Sequence, residues 1–154
     1  VTQTFPLTST GTGAARKAVS AAVTDSSVDW NTKGGWRVDL PQAGERVSSN
    51  MGLQYSTLAI GTTIPSGNAC DSGGAAWRYY LDVANGGVVT TNPAGELWSS
   101  NALIVGMSWV KDSNGNVRII YQNSDGSIRS EIPPVVSTPG GGGAHRTSWR
   151  ELRD

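Results

Sequence analysis

Few side chains in this sequence are spaced for bond-making chemistry. A hydrolase needs a nucleophile, a base and an orienting group within mutual reach, or two carboxylates facing one another. His145, the single histidine, follows closely on four glycines, where a side chain is solvated rather than held as a base. Ser72 sits in Cys70-Asp71-Ser72-Gly73-Gly74, which lacks the G-x-S-x-G spacing of a nucleophile elbow. Asp29, Asp39, Glu45, Asp71, Asp82 and Glu96 supply carboxylates, but no spacing selects a pair from them. The expectation is a protein that binds rather than one that catalyses.

Two binding chemistries are spelled out more clearly. Asp112, Asn114 and Asn116 place oxygen-bearing side chains at alternate positions, the opening of a calcium loop, but the twelfth position holds Asn123 where a carboxylate is wanted. The competing reading of Asp112-Ser-Asn-Gly-Asn is a hairpin turn without metal. Trp98, Tyr55, Tyr79 and Tyr80 could form an exposed platform for stacking on sugars, or fill the core as large aromatic side chains usually do.

The elements that would position these groups are strands. Twenty glycines and seven prolines, with six Trp among the few aromatics, favour short strands joined by tight turns, so the expected class is all-β built of antiparallel meanders. Residues 1–27 are rich in Thr, Ser, Ala and Gly and read as an N-terminal edge segment or loosely ordered arm, with enough Ala over 14–23 to permit a short helix. Over 35–40, Trp36, Val38 and Leu40 alternate with Arg37 and Asp39 as in a half-buried strand that Pro41 ends. Two short runs follow over 53–64. Trp77, Tyr79 and Leu81 then alternate with Arg78, Tyr80 and Asp82, before Asn85-Gly86-Gly87 turns the chain into Val88-Val89. Asp112-Ser-Asn-Gly-Asn-Val-Arg-Ile is echoed by Asn123-Ser-Asp-Gly-Ser-Ile-Arg-Ser, one strand and one turn later. Strands are therefore predicted over 102–111, 117–122 and 128–132, consecutive in one meander. Pro133-Pro134 stops it, 137–147 is a Gly/Pro-rich tether, and 148–154 is a closing segment in which Trp149 and Leu152 dock onto the body.

Charge narrows the partners. Twelve basic and twelve acidic side chains cancel, so the positive surface that nucleic acid or an anionic membrane would require is missing. No apolar run approaches the ~20 residues of a membrane-spanning helix. A lone cysteine, Cys70, can form neither an internal disulfide nor a multi-cysteine zinc site.

An ordered series of short motifs adds a resemblance. The Trp36 strand with Asp39-Leu-Pro41, then Gly44-Glu45-Arg46-Val, then Thr-Thr-Ile-Pro65-Ser, then Cys70-Asp-Ser-Gly73-Gly74 leading to Trp77, Leu81-Asp82 and a Gly-Gly turn, and finally Ser-Trp149-Arg-Glu-Leu, resembles the C-terminal β-propeller module of the PilY/PilC family, proteins of the type IV pilus tip. The resemblance implies that residues 28–136 are the last blades of a β-propeller-like module and that the chain is a C-terminal portion of a longer protein. It implies a role in pilus biogenesis and surface adhesion, with pilins, minor pilins or the assembly machinery as partners and a host or abiotic surface as a further one. The implied place is outside the cell, at the cell surface, pilus tip or outer membrane. Cys70 would then pair with a cysteine elsewhere in the longer chain, or remain a free buried thiol. Trp36, Trp77 and Trp149 are expected in the core, and Glu45 and Arg46, on opposite faces of a strand, are expected to bond to neighbouring blades. The family's Asp-rich D-x-D-x-D-G calcium loop and Arg-Gly-Asp integrin motif are absent from this sequence, which separates it from those members.

Overall fold

The computed structural model describes residues 1–10, 17–67 and 73–135, and among them the chain forms strands and no helix. The first six strands are short: β1 (Thr2–Gln3), β2 (Leu7–Thr10), β3 (Lys17–Ala21), β4 (Arg37–Val38), β5 (Arg46–Val47) and β6 (Gly52–Gln54). The longer ones follow as β7 (Thr57–Pro65), β8 (Gly74–Asp82), β9 (Gly95–Ser99), β10 (Ile104–Lys111), β11 (Val117–Asn123) and β12 (Ile128–Glu131). A seven-stranded antiparallel sheet runs β2-β3-β9-β8-β7-β5, with β6 also paired to β7. The remaining strands form the β10-β11-β12 meander and a two-residue parallel pair of β1 with β4.

Alternation along β8 organises both layers. Trp77, Tyr79 and Leu81 leave one face and are fully buried with Phe5, Ala21, Val23 and Ile60, while Trp36, Val38 and Leu40 cover this cluster from outside. Phe5 packs on Tyr79 with ring centroids 4.9 Å apart, and Trp77 stacks 6.1 Å from Tyr79. Ala76 and Tyr80 leave the opposite face, where with Ala59 they meet Ile104, Ile119 and Tyr121 of the meander. The predicted alternation of β8 holds, but its polar face is not solvated, because the three-stranded layer covers it.

The all-β class with antiparallel meanders matches the expectation, and the meander strands begin and end within two residues of the predicted bounds. Its turns carry Gly115 and Gly126 at φ +83° and +81°, the left-handed region that glycine enters without a Cβ penalty. The strands group as seven, three and two rather than as successive four-stranded sheets, so the blade assignment rests on the resemblance. The strand predicted over 35–40 narrows to Arg37–Val38, the length its partner β1 offers.

Of the N-terminal alternatives the ordered edge segment is the one formed, and the short helix is not formed over residues 17–21. β2 is an edge strand, but β3 lies inside the sheet between β2 and β9, and residues 17–21 are strand rather than helix. Small Ala, Ser and Thr side chains, read as too little bulk for order, are what a close approach of strands accommodates. Gln3, almost fully buried, ties the segment down. Its amide donates to the carbonyls of Ser26 and Asn85 at 2.8 and 2.7 Å, and its Oε1 accepts from Thr24 Oγ1 and the Ser26 N–H. No helix among the described residues is long and apolar enough to cross a membrane.

Candidate functional site

Most residues of the resembling motifs come together as framework. Trp36 lies against the Gly86 turn and donates its indole N–H to the Val83 carbonyl at 2.8 Å. A Cβ on Gly86 would stand 2.3 Å from that ring, so the Asn85-Gly86-Gly87 turn and Trp36 require one another. Gly44 turns the chain ahead of Glu45, whose Oε1 accepts from Thr62 Oγ1 at 2.5 Å and from the Tyr79 hydroxyl at 2.7 Å. Glu45 thereby ties the β5 edge to β7 and β8 of its own sheet. Burial and the Glu45 carboxylate together hold the Tyr79 phenol far above its usual pKa.

Arg46, paired with Thr63, is exposed instead, and no ion pair links it to another described residue. Pro65 faces Gly74 across β7–β8, Gly73 accepts the Ser66 N–H at 3.1 Å, and Trp77 fills the core. Asp39 is exposed beside half-buried Pro41. Cys70, Asp71, Ser72, His145, Trp149 and Leu152 lie outside the described residues, as do the tether and the closing segment.

The calcium candidate is a turn occupied by its own backbone. Asp112 Oδ1 accepts the N–H groups of Asn114 and Asn116 at 2.9 and 2.8 Å, Oδ2 accepts the Asn116 amide, and Arg118 stands 3.8 Å away. These donors hold the Asp112 carboxyl below the usual range. Asn114 and Asn116 therefore serve the β10–β11 hairpin, in favour of the turn reading. Asp125 repeats the arrangement, accepting from Ser127 N and Oγ. Among the described residues no three His, Cys, Asp or Glu side chains gather as metal ligands.

Among the described candidate carboxylates, only Glu96 shares a cation with a second acid, Glu131, which sequence spacing did not single out. Arg78 joins them, with Nη2 2.6 Å from Glu96 Oε2 and Nε 3.0 Å from Glu131 Oε1. The second contact is ionic without hydrogen-bond alignment, since Arg78 Nε has no aligned acceptor. The Tyr80 hydroxyl donates to Glu131 Oε1 and lies 2.7 Å from the Tyr121 hydroxyl. Burial raises both phenols well above the ordinary tyrosine range. Trp98 completes the cluster: its ring lies 4.6 Å from Tyr121, Arg78 and Arg129 stand over it, and its N–H donates to Asn123 Oδ1 at 2.9 Å.

This cluster borders a cleft of about 220 Å³ that Thr90, Thr91 and Asn92 also line. An acid–base pair needs a substrate between its carboxylates. Here the guanidinium occupies that position and contacts both, so the geometry locks the meander to the large sheet. Of the four aromatics proposed as a sugar platform, Trp98, Tyr79 and Tyr80 are packed within the fold and only Tyr55 stands about half exposed. Trp30, more exposed still, escaped notice because no alternating pattern surrounds it. No known protein family, no curated protein and no solved structure matches this chain.

Proposed function

We propose that this chain is a non-enzymatic, extracellular β module of a type IV pilus tip protein, which supports pilus assembly by antagonising retraction and contributes to surface attachment. The observation that supports this reading beyond the short motifs themselves is that some of their residues, Trp36, Glu45, Trp77 and Gly86, pack or bond around β7–β8. The framework leaves turns and sheet edges at the surface, the parts through which a strand-rich module engages pilins, minor pilins or the assembly machinery. The blocked carboxylate pair around Arg78 favours binding over hydrolysis.

The test is to delete the encoding gene in its source bacterium and count surface pili by electron microscopy, with and without a complementing copy. Loss of pili restored by the copy is the expected result. Unchanged piliation would remove the biogenesis role and leave a separate carbohydrate- or surface-binding module as the function.

A further inference from the structure

Asn-Gly occurs twice in this chain, at Asn85-Gly86 and at Asn114-Gly115, and the fold treats the two pairs in opposite ways. An asparagine before glycine is the sequence most open to attack by the next backbone nitrogen on the side-chain amide, because glycine has no Cβ to obstruct the approach and its peptide turns freely. The attack requires the asparagine side chain to swing over its own backbone and the glycine N–H to leave its hydrogen bond. What surrounds the turn decides whether either can happen.

Asn85 is held from three directions. Its Nδ2 donates to Asp25 Oδ1 at 2.8 Å, its Oδ1 accepts the Gly87 N–H at 2.8 Å, and its carbonyl accepts the Gln3 amide at 2.7 Å. Gly86 is buried against the Trp36 ring, and its N–H donates to the Asp82 carbonyl at 2.7 Å. At the other pair both residues are exposed and the space around Gly115 is open. The carboxylate of Asp112 accepts the backbone N–H of Asn114 and both N–H groups offered by Asn116, but nothing from the Asn114 side-chain amide. The Gly115 N–H donates to the Asp112 carbonyl at 3.0 Å, a bond at the surface whose loss water compensates.

We infer that Asn114 is a site of spontaneous deamidation, a covalent modification that the fold permits there and hinders at Asn85. The Gly115 nitrogen forms a bond to Asn114 Cγ and gives up its proton, while the Cγ–Nδ2 bond breaks and the side-chain nitrogen leaves as ammonia with that proton. Water then opens the five-membered imide. Opening at one carbonyl gives aspartate, and at the other isoaspartate, in which the main chain runs through the former side chain. Either product sets a second carboxylate beside Asp112, and isoaspartate also lengthens the turn between β10 and β11. The site stands apart from the pilus reading.

The test incubates the full chain at mildly alkaline pH, folded and in concentrated urea, and locates by tryptic peptide mass and fragmentation each amide exchanged for a carboxyl. Cleavage after Lys111 and Arg118 separates Asn114 from Asn85. In the folded chain Asn114 should convert at least about tenfold faster than Asn85, since opening the Asn85 turn breaks several hydrogen bonds at once. In urea the two rates should converge. Asp25→Ala should speed conversion of Asn85 in the folded chain and leave Asn114 as it was. No conversion at Asn114, equal rates in the folded chain, a difference of the same size in urea, or an Asn85 rate unmoved by Asp25→Ala would overturn the assignment.

Discussion

The two faces of β8 (Gly74–Asp82) are buried in different ways. On one, Trp77, Tyr79 and Leu81 pack with Phe5, Val23 and Ile60 in an aromatic and aliphatic cluster whose main polar tie is the Tyr79–Glu45 bond. On the other, Arg78 and Tyr80 join Glu96, Glu131 and Tyr121 in a polar network flanked by small Ala59 and Ala76. Apolar packing rewards burial in proportion to area and tolerates small displacements. A charged network is stable only when every member keeps its partner. The first face therefore supplies stability, and the second sets how the meander sits on the sheet.

Truncation at the centre of the first face should have the largest effect. Trp77→Ala is expected to cost about 3–5 kcal/mol in urea unfolding, as deletion of a fully buried aromatic does. Arg78→Met should cost less, about 1–3 kcal/mol after allowance for the partial exposure of Glu96 and Glu131. Adding Glu131→Gln to it should restore part of that loss, and equal costs at Trp77 and Arg78 would erase the difference between the faces.

Alkaline pH sharpens the contrast without mutation. Tyr79, Tyr80 and Tyr121 keep their protons in the fold well above pH 10, near which the unfolded phenols ionise. The folded state then binds more protons than the unfolded one, so this stabilising contribution is intact below about pH 10 and is lost as pH rises beyond it. The slope is about 1.4 kcal/mol per pH unit for each phenol. Two of the three lie on the polar face, so Tyr80→Phe should flatten the decline measured by urea unfolding between pH 9 and 11. An unchanged slope would place the phenols outside the linkage.

The smallest expected effect compares two hairpin turns. At Asp112–Asn116 the side chain and Gly115 suit the turn, and Asp112→Ala should lower the Tm slightly. At Tyr55–Ser56, with φ of 47° and 63°, the residues oppose the turn, and Tyr55→Gly should raise stability by about 1 kcal/mol. A loss of stability in the second variant would show that the ring packs usefully instead of being held in strain.

These contrasts also explain what could be read in the sequence. The meander was legible because its information is local, with an acidic or amide residue, a glycine and a β-branched strand recurring together. Trp36 and Trp77 were legible through alternation. The Arg78 network was not, since Tyr80 and Glu131 are 51 residues apart and meet only when the second layer docks. β3 was obscured by small side chains, whose lack of bulk resembles disorder until neighbouring strands close around it. Tyr55–Ser56 gave no turn signal, because the residues that mark such turns are missing from it.

The proposed pilus function would rest on the scaffold that Trp36, Glu45 and Trp77 build around β7–β8, of which Lys111 is no part. It is tested most directly by counting surface pili in the deletion strain complemented with wild-type, Lys111→Met or Trp77→Ala copies. Full restoration by the first two and little by the third is the predicted result. Full restoration by Trp77→Ala, or pili present without any copy, would contradict it.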